Sequence, residues 1–257
     1  MENILLPSNF TIESTDKPNV ANLVLEPCYF GYGTTVGNAL RRVLLSSLPG
    51  AAVTTIKIKG ATHEFQAVDN VKEDVLQIIL NLKSLRLKLY SDQPVKLHLR
   101  VKGAVTVTAA DFEPNADVEI INSDLVIATL TDAKSDFDLE AVVERGRGYS
   151  STEERKEKSE ELGMIAIDAL FSPVRNVGYR VENTRVGDVT NYDRLVMTIE
   201  TDGTIDPKDA VKQSARILLD YFNLLTPGII NTPATEEEKA LVEEVAVPEV
   251  AESEEEE

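Results

Sequence analysis

The side chains of this sequence that could do chemistry are few and lie far apart. His63 and His98 are its only histidines and Cys28 is its only cysteine. The histidines fall in separate strand-like segments with no second ligand nearby, so neither a metal site nor a Cys–His nucleophile is predicted. Cys28 excludes an internal disulfide, fits a reducing compartment and is interpreted as a small buried apolar residue.

Two other groups could suggest an active site. Residues 145–149 read Arg-Gly-Arg-Gly-Tyr, which is glycine-rich and basic, but the GxxxxGK[ST] pattern and a following apolar-periodic helix are missing. A flexible turn is the preferred interpretation. Asp111, Asp117 and Asp138 could meet in space, yet in an acidic protein this is weak evidence. An independent enzyme is therefore disfavoured, and no catalytic residue, metal site or cofactor is predicted.

The charge of the chain argues against a nucleic-acid-binding module. The net charge is −18; residues 234–257 carry −10 of it, which leaves −8 on the rest of the chain. Neither part is a surface that would neutralise phosphates, so direct DNA binding is not expected. No apolar run reaches eighteen residues, and the N-terminus lacks a basic segment followed by an apolar core. Neither a membrane span nor a signal peptide is predicted.

The stretch that organises the chain is residues 31–50, GYGTTVGNALRRVLLSSLPG. It predicts a helix over residues 34–48, capped by Thr34 or Thr35 and ended by Pro49-Gly50. Small and apolar residues recur on one face at helical spacing: Val36, Ala39, Leu40, Val43, Leu44 and Ser47.

The opposite face of this helix carries Asn38, Arg41, Arg42 and Leu45. One interpretation is a solvated arginine face with a stray leucine. The other is that partners cover this face while the chain's own core covers the first, since arginine is enriched at interfaces. The pattern alone leaves both open.

The remaining elements predict an α+β fold. Short alternating runs predict a strand pair in residues 10–30 and an antiparallel sheet or flattened barrel in residues 85–144. A second helix is predicted to begin at Asp69 or Asn70. The last helix begins at Asp206-Pro207 and is apolar on two sides, so it is expected to be buried on two sides. A second copy of the chain is the economical cover; the first helix or a loop of the same chain is the alternative.

The organising stretch closely resembles the first helix of the bacterial RNA polymerase α subunit, in its N-terminal, assembly-directing part. Further segments resemble the same family in the family's order: VKEDVLQIILNLKSL, ERGRGY, LFSPVRNVGYRVENTRVGDVTNYDRL and ETDGTIDPKDAV. The resemblance covers nearly all of residues 1–230. It implies a dimerisation domain made of an antiparallel sheet and two helices, residues 1–50 and 173–230, with a strand-rich domain inserted at residues 51–172. Residues 231–257 are expected to be a disordered acidic linker and tail.

The same resemblance implies a homodimeric, non-catalytic scaffold that nucleates assembly of the β and β′ subunits. The first and last helices would meet their copies through Val36, Leu40, Leu44, Leu218, Phe222 and Leu225. Arg42 matches the family arginine at the β contact and Arg41 is its neighbour; residues 181–193 would help form that surface. The expected β-subunit contacts are Asn38, Arg41, Arg42, Arg185, Asn191 and Asp193.

The implied setting is the bacterial cytoplasm, at the nucleoid, within the polymerase. The inserted domain of the other protomer would face β′, and the ω and σ subunits would be indirect partners. Typical family members continue into a helical domain that binds promoter DNA, whereas this sequence runs into a glutamate-rich tail. Promoter binding is therefore not carried over to these residues.

Overall fold

A computed structural model describes residues 4–155, 163–187 and 189–225. The predicted acidic tail, residues 231–257, lies outside these described residues. The described part contains three α-helices: α1 (Tyr32–Ser46), α2 (Val75–Lys83) and α3 (Pro207–Leu225). Antiparallel sheets make up most of the rest. The α+β fold class predicted from the sequence is confirmed.

The first sheet has four strands, and it is built from the two ends of the folded chain. Its strands are β1 (Asn9–Ser14), β2 (Val20–Cys28), β13 (Val174–Val186) and β14 (Val189–Thr201), in the order β1-β2-β14-β13. Every pairing is antiparallel. Since β2 pairs with β14, a strand near the N-terminus is held by one more than 160 residues later.

The second sheet lies in the middle of the sequence. It contains β3 (Pro49–Ile58), β4 (Leu87–Leu89), β5 (Val95–Lys102), β7 (Val118–Ile120), β9 (Asp136–Arg147) and β11 (Ile165–Ala166). The path is β5-β9-β3-β4-β7, and β11 also pairs with β3. Two short ribbons complete the described strands: β6 (Thr106–Thr108) with β8 (Val126–Thr129), and β10 (Tyr149–Ser150) with β12 (Ala169–Leu170).

A hydrophobic core belongs to this middle region. Its members come from residues 53–167 and include fully buried side chains of α2 and the long strands, among them Ile56, Ile78, Leu82, Leu99, Ile127, Phe137 and Leu139. Their burial follows from strand alternation: β9 runs Phe137, Leu139, Ala141, Val143 with every second residue buried. The domain boundary at residues 51–172 stays a prediction.

The helix starts show how far capping signals could be read. The cap at Asp206 is confirmed, since its carboxylate accepts from the Lys208 N–H at 2.8 Å and α3 begins at Pro207. The start of α2 is wrong in the sequence prediction. Asn70 has a left-handed φ of 59°, and the true cap is Asp74, which accepts from the Gln77 N–H at 2.7 Å. Several acidic and amide residues in a row made the choice ambiguous from sequence.

The chain divides into two compact units, Met1–Arg216 and Ile217–Glu257. The first contains both sheets and α1 and α2. The described part of the second is the C-terminal portion of α3, where Leu219, Tyr221, Phe222, Leu224 and Leu225 are exposed. Among the described helices none is long and apolar enough to cross a membrane.

Candidate protein-binding surface on the first helix

Helix α1 lies directly on the hairpin formed by β13 and β14. Its buried residues are Gly33, Gly37, Leu40 and Leu44, which recur at three- and four-residue spacing. Gly37 permits a close approach: a Cβ there would lie 2.8 Å from Leu195 Cδ1 and 2.9 Å from Tyr179 Cδ2. The helix is therefore seated on the sheet with no space for a larger residue at this point.

The N-terminus of α1 is capped by a residue from the other end of the chain. The Asp193 carboxylate on β14 accepts hydrogen bonds from the backbone N–H of Gly31 at 2.9 Å and of Gly33 at 3.1 Å. Gly31 has a left-handed φ of 83° and gives no side-chain cap. The predicted caps are wrong, because the Thr35 hydroxyl instead donates to the Gly31 carbonyl and Thr34 is exposed.

Asp193 is 5% exposed, so its carboxylate is directed into the protein. Two amide donors and the positive end of the helix dipole stabilise a negative charge there. Cys28 is also buried nearby; burial first, and then the charge of Asp193, raise the pKa of its thiol. This thiol is therefore held in its neutral form, as expected for a packing residue.

The exposed side of α1 divides into two flanks. With 100° per residue, Asn38, Arg41, Arg42 and Leu45 fall on one side of the buried stripe and form what we call the arginine flank. Val36, Ala39 and Val43 fall on the other side and form the valine flank. Asn38 and both arginines are exposed, whereas Leu45 and the three members of the valine flank are half-buried.

The two arginines of α1 have no ion pair with any described residue. Their guanidinium groups therefore remain free to form bidentate hydrogen bonds with a partner's carboxylates. A polar flank and an apolar flank on one rigid helix can engage two different surfaces. This geometry suits protein binding rather than catalysis.

Comparison with known proteins identifies the family. Residues 56–172 match the protein family described as "RNA polymerase Rpb3/RpoA insert domain". The DNA-directed RNA polymerase subunit alpha of Oceanobacillus iheyensis is 51% identical over 218 residues, which is 85% of this chain and 69% of the relative. The protein of the same name from Bacillus velezensis is 48% identical over the same extent.

The chain belongs to the bacterial RNA polymerase α-subunit family. The identity extends over most of both proteins, and the sequence resemblance to this family is confirmed.

Within this α-subunit fold, the residues expected to touch the β subunit lie on two elements, α1 and the β13–β14 hairpin. Asn191 is exposed, two positions from Asp193 on the hairpin. Arg185 is exposed near the hairpin tip, and its Nε donates to the Gly187 carbonyl at 2.7 Å. Arg41 lies about 15 Å along the axis of α1 from the capped end. Asp193 has an internal role, although the resemblance placed it among the contacts.

The residues expected at the dimer interface also differ in exposure. Leu44 is 0% exposed and Leu40 is 8% exposed, because both pack beneath α1 within a single chain. Leu40 and Leu44 therefore hold the helix against the sheet. Of the three expected interface residues on α1, only the half-buried Val36 has surface that a second copy could contact. On α3, Leu218 is half-buried, while Phe222 and Leu225 are exposed. The dimer contact itself stays a prediction.

An aromatic cluster at the start of α1 was not predicted from the sequence. Tyr29 stacks edge-on against Tyr32 and Tyr192, with ring centroids 6.1 and 6.3 Å apart. Tyr29, Tyr32 and the neighbouring Phe30 are all exposed. The run Cys-Tyr-Phe-Gly-Tyr was a visible signal, but only the fold brings Tyr192 to it.

The sheet face that does not carry α1 bears charged side chains that pair with one another. Arg194 lies 3.2 Å from Glu26 and 3.7 Å from Glu182, and Arg180 lies 2.7 Å from Glu182. The hydrogen bond from Arg180 lowers the pKa of Glu182. Because strand neighbours alternate, Arg180 and Arg194 point away from the side on which Asp193 caps the helix.

Proposed function

We propose that this chain is a homodimeric platform on which the β and β′ subunits of a bacterial RNA polymerase assemble, and that it performs no chemistry itself. Its partners would be a second copy, β and β′ directly, and ω and σ indirectly, in the cytoplasm. No cofactor and no direct DNA contact are part of this proposal. Among the described residues, no three His, Cys, Asp or Glu side chains are grouped to hold a metal ion.

The observation that carries the proposal is the two-sided exposed surface of α1. The arginine flank offers Asn38 and two guanidinium groups without an ion pair among the described residues, which suits a carboxylate-bearing partner such as β. The valine flank offers partly exposed apolar surface, which suits an isologous contact with a second copy.

The C-terminal part of α3 gives separate support for a second copy. Leu224 and Leu225 are 77% and 76% exposed, and Leu219 and Tyr221 are exposed beside them. Such a concentration of large apolar side chains at the surface marks a protein-binding site. We propose that these residues also contact the second protomer.

The test is the mass of the chain in solution by light scattering across a dilution series. The expected result is twice the chain mass of 28.3 kDa. Leu225→Asp should weaken dimerisation by roughly thirtyfold, since losing an interface hot spot costs about 2 kcal/mol. Gln213→Asp is the matched control, because it puts the same charge at an exposed polar position of the same helix.

A monomeric unchanged chain, or a dimer as tight in Leu225→Asp as in the control, would contradict the dimer proposal. The β contact is tested separately by co-expression with the β subunit of the Bacillus velezensis polymerase, whose α subunit is 48% identical to this chain. Co-purification of β with the chain is the expected result.

A further inference from the structure

The hydrogen-bond partners of the buried Asp193 carboxylate are distant in sequence. It sits on β14, 162 positions after Gly31, and is surrounded by the sheet and the start of α1. No lysine or arginine among the described residues forms an ion pair with it. An ionised carboxylate this deeply buried is costly unless hydrogen bonds compensate, and here two helix amides do so.

The start of α1 depends on this carboxylate. Among the first backbone N–H groups of a helix none has an intrahelical partner, and a local side chain usually accepts from one of them. Gly31 cannot act in that way, and Thr35 hydrogen-bonds back to the Gly31 carbonyl instead. Asp193 therefore replaces the missing local cap with one that belongs to the hairpin.

The fit around this cap is tight. A Cβ added to Gly33 would lie 3.0 Å from Asp193 Cβ and 3.1 Å from Val181 Cγ1. The first turn of α1 thus approaches both strands of the hairpin, one through Asp193 and the other through Val181. One carboxylate fixes the distance between the helix end and the sheet at this point.

We infer that Asp193 is a positioning residue of the assembly surface: it locks the N-terminal turn of α1 to the β13–β14 hairpin, so that the arginine flank and the exposed hairpin residues are presented to the β subunit as one rigid unit. The inference rests on the proposed function. Arg185 and Asn191 lie on the hairpin and Asn38, Arg41 and Arg42 on the helix, so their relative placement needs a link between the two elements. Pre-ordering such a surface strengthens binding because less conformational freedom is lost on association.

The experiment compares three full-length variants with the unchanged chain in association with the B. velezensis β subunit. Asp193→Ala removes the acceptor. Asp193→Asn keeps an oxygen that can accept from both amides but loses the charge. Val196→Ala is the control: this side chain is buried on the same strand but points to the other face, so its loss lowers stability without touching α1. Binding is measured well below every melting temperature, where all variants are folded.

Asp193→Ala should weaken β association by about tenfold or more, and Asp193→Asn should restore most of it, while Val196→Ala should bind like the unchanged chain. Amide hydrogen exchange at Gly31 and Gly33 should accelerate in Asp193→Ala alone, because their acceptor is gone. A lower melting temperature in Asp193→Ala with unchanged β binding would overturn the inference, as would slow exchange at both glycines.

The failure of the proposed function would look different. If the unchanged chain does not retain the β subunit, the assembly proposal falls, and the inference falls with it. If the unchanged chain binds and all three variants bind equally well, only the positioning role of Asp193 is refuted.

Discussion

The two faces of the four-stranded sheet use arginine in opposite ways. On the face without α1, Arg180 and Arg194 are joined to Glu182 and Glu26 within the same sheet. On the other face, α1 covers the strands and carries Arg41 and Arg42 outward with no ion pair to a described residue. Arginine is thus neutralised within the chain on one face, whereas on the other face its charge is available to a partner.

A charge that is neutralised within the chain can be distinguished from one that is available to a partner by its ion pairs and by the rigidity of the element that carries it. The pairs of the open face are partly exposed and join neighbouring positions of the sheet, so each contributes little to stability, and their charges are already neutralised within the chain. The arginines of α1 lie on a helix fixed by close backbone packing, and they form no ion pair with a described residue. Rigidity together with unpaired guanidinium groups, rather than charge alone, is the basis on which this surface is proposed to bind a partner.

The largest effect is expected from loosening α1 itself. Gly37→Val puts side-chain atoms where a Cβ alone already lies 2.8 Å from Leu195, so the helix must lift from the hairpin. Overpacking of this kind costs about 1–3 kcal/mol of unfolding free energy, measured by urea denaturation. The β association should fall with it.

The control for this change lies on the opposite face of the same sheet. A Cβ added at Gly178 meets nothing within 4 Å, so Gly178→Ala should leave the unfolding free energy and β binding almost unchanged. Equal destabilisation by the two substitutions would show that the close packing of α1 has no special weight.

A smaller, more selective effect is expected from the arginines. Arg42→Ala removes an exposed guanidinium without disturbing the buried stripe, so the fold and the dimer should persist. Binding of the β subunit should weaken roughly tenfold, as for an interface residue that contributes about 1.4 kcal/mol. Co-purified β and equilibrium titration give the measurement.

Arg180→Ala is the matched control, since that arginine is already paired with Glu182 at 2.7 Å. It should bind β as the unchanged chain does. If Arg180→Ala weakened binding as much as Arg42→Ala, the distinction between paired and unpaired arginines would be lost. A monomeric Arg42→Ala variant would instead assign the arginine flank to the dimer.

The smallest effect concerns the acid stability of the paired face. The hydrogen bond from Arg180 lowers the pKa of Glu182, so the folded state favours its charged form. This contribution is present above the ordinary glutamate range, about pH 4.3, and is lost as the pH falls through the lowered value. Glu182→Gln should slightly flatten the dependence of stability on pH in this acidic window. The measurement is thermal unfolding at a series of pH values between roughly 6 and roughly 3.

The effect of Glu182→Gln should stay small because the pair is solvent-screened. If this variant were as sensitive to acid as the unchanged chain, the pKa of Glu182 would not differ enough between the folded and unfolded states to affect stability. A change in β binding at neutral pH would contradict the view that this face is closed to that partner.

Much of the fold could be predicted because its signals are local. The alternation in β9 and the Asp206-Pro207 start of α3 depend on neighbours a few residues apart, and both were correctly predicted. The start of α2 was missed by several residues because Asp69, Asn70 and Asp74 can all cap a helix. Which of them does so depends on where the preceding turn packs.

The candidate site could be predicted only in part. The exposure of Asn38, Arg41 and Arg42 agrees with the helical spacing, since one buried stripe leaves the opposite side outward. The apolar stripe was less informative, because it contains both the buried Leu40 and Leu44 and the half-buried Val36. Only the packing of the helix shows which of these residues face the sheet and which remain accessible. The stacking of Tyr192 on Tyr29 had no sequence signal, because the two residues meet only through the pairing of β2 with β14.

Most of the helices and strands, the exposed arginines of α1 and the family to which the chain belongs could be read from the sequence. The tertiary structure alone decided what holds α1 in place. Asp193 and Gly31 are 162 positions apart, and nothing in either segment of the sequence indicates that the two residues form a hydrogen bond. Local propensity acts over a few residues, whereas a hydrogen bond between distant segments exists only after the sheet has brought them together.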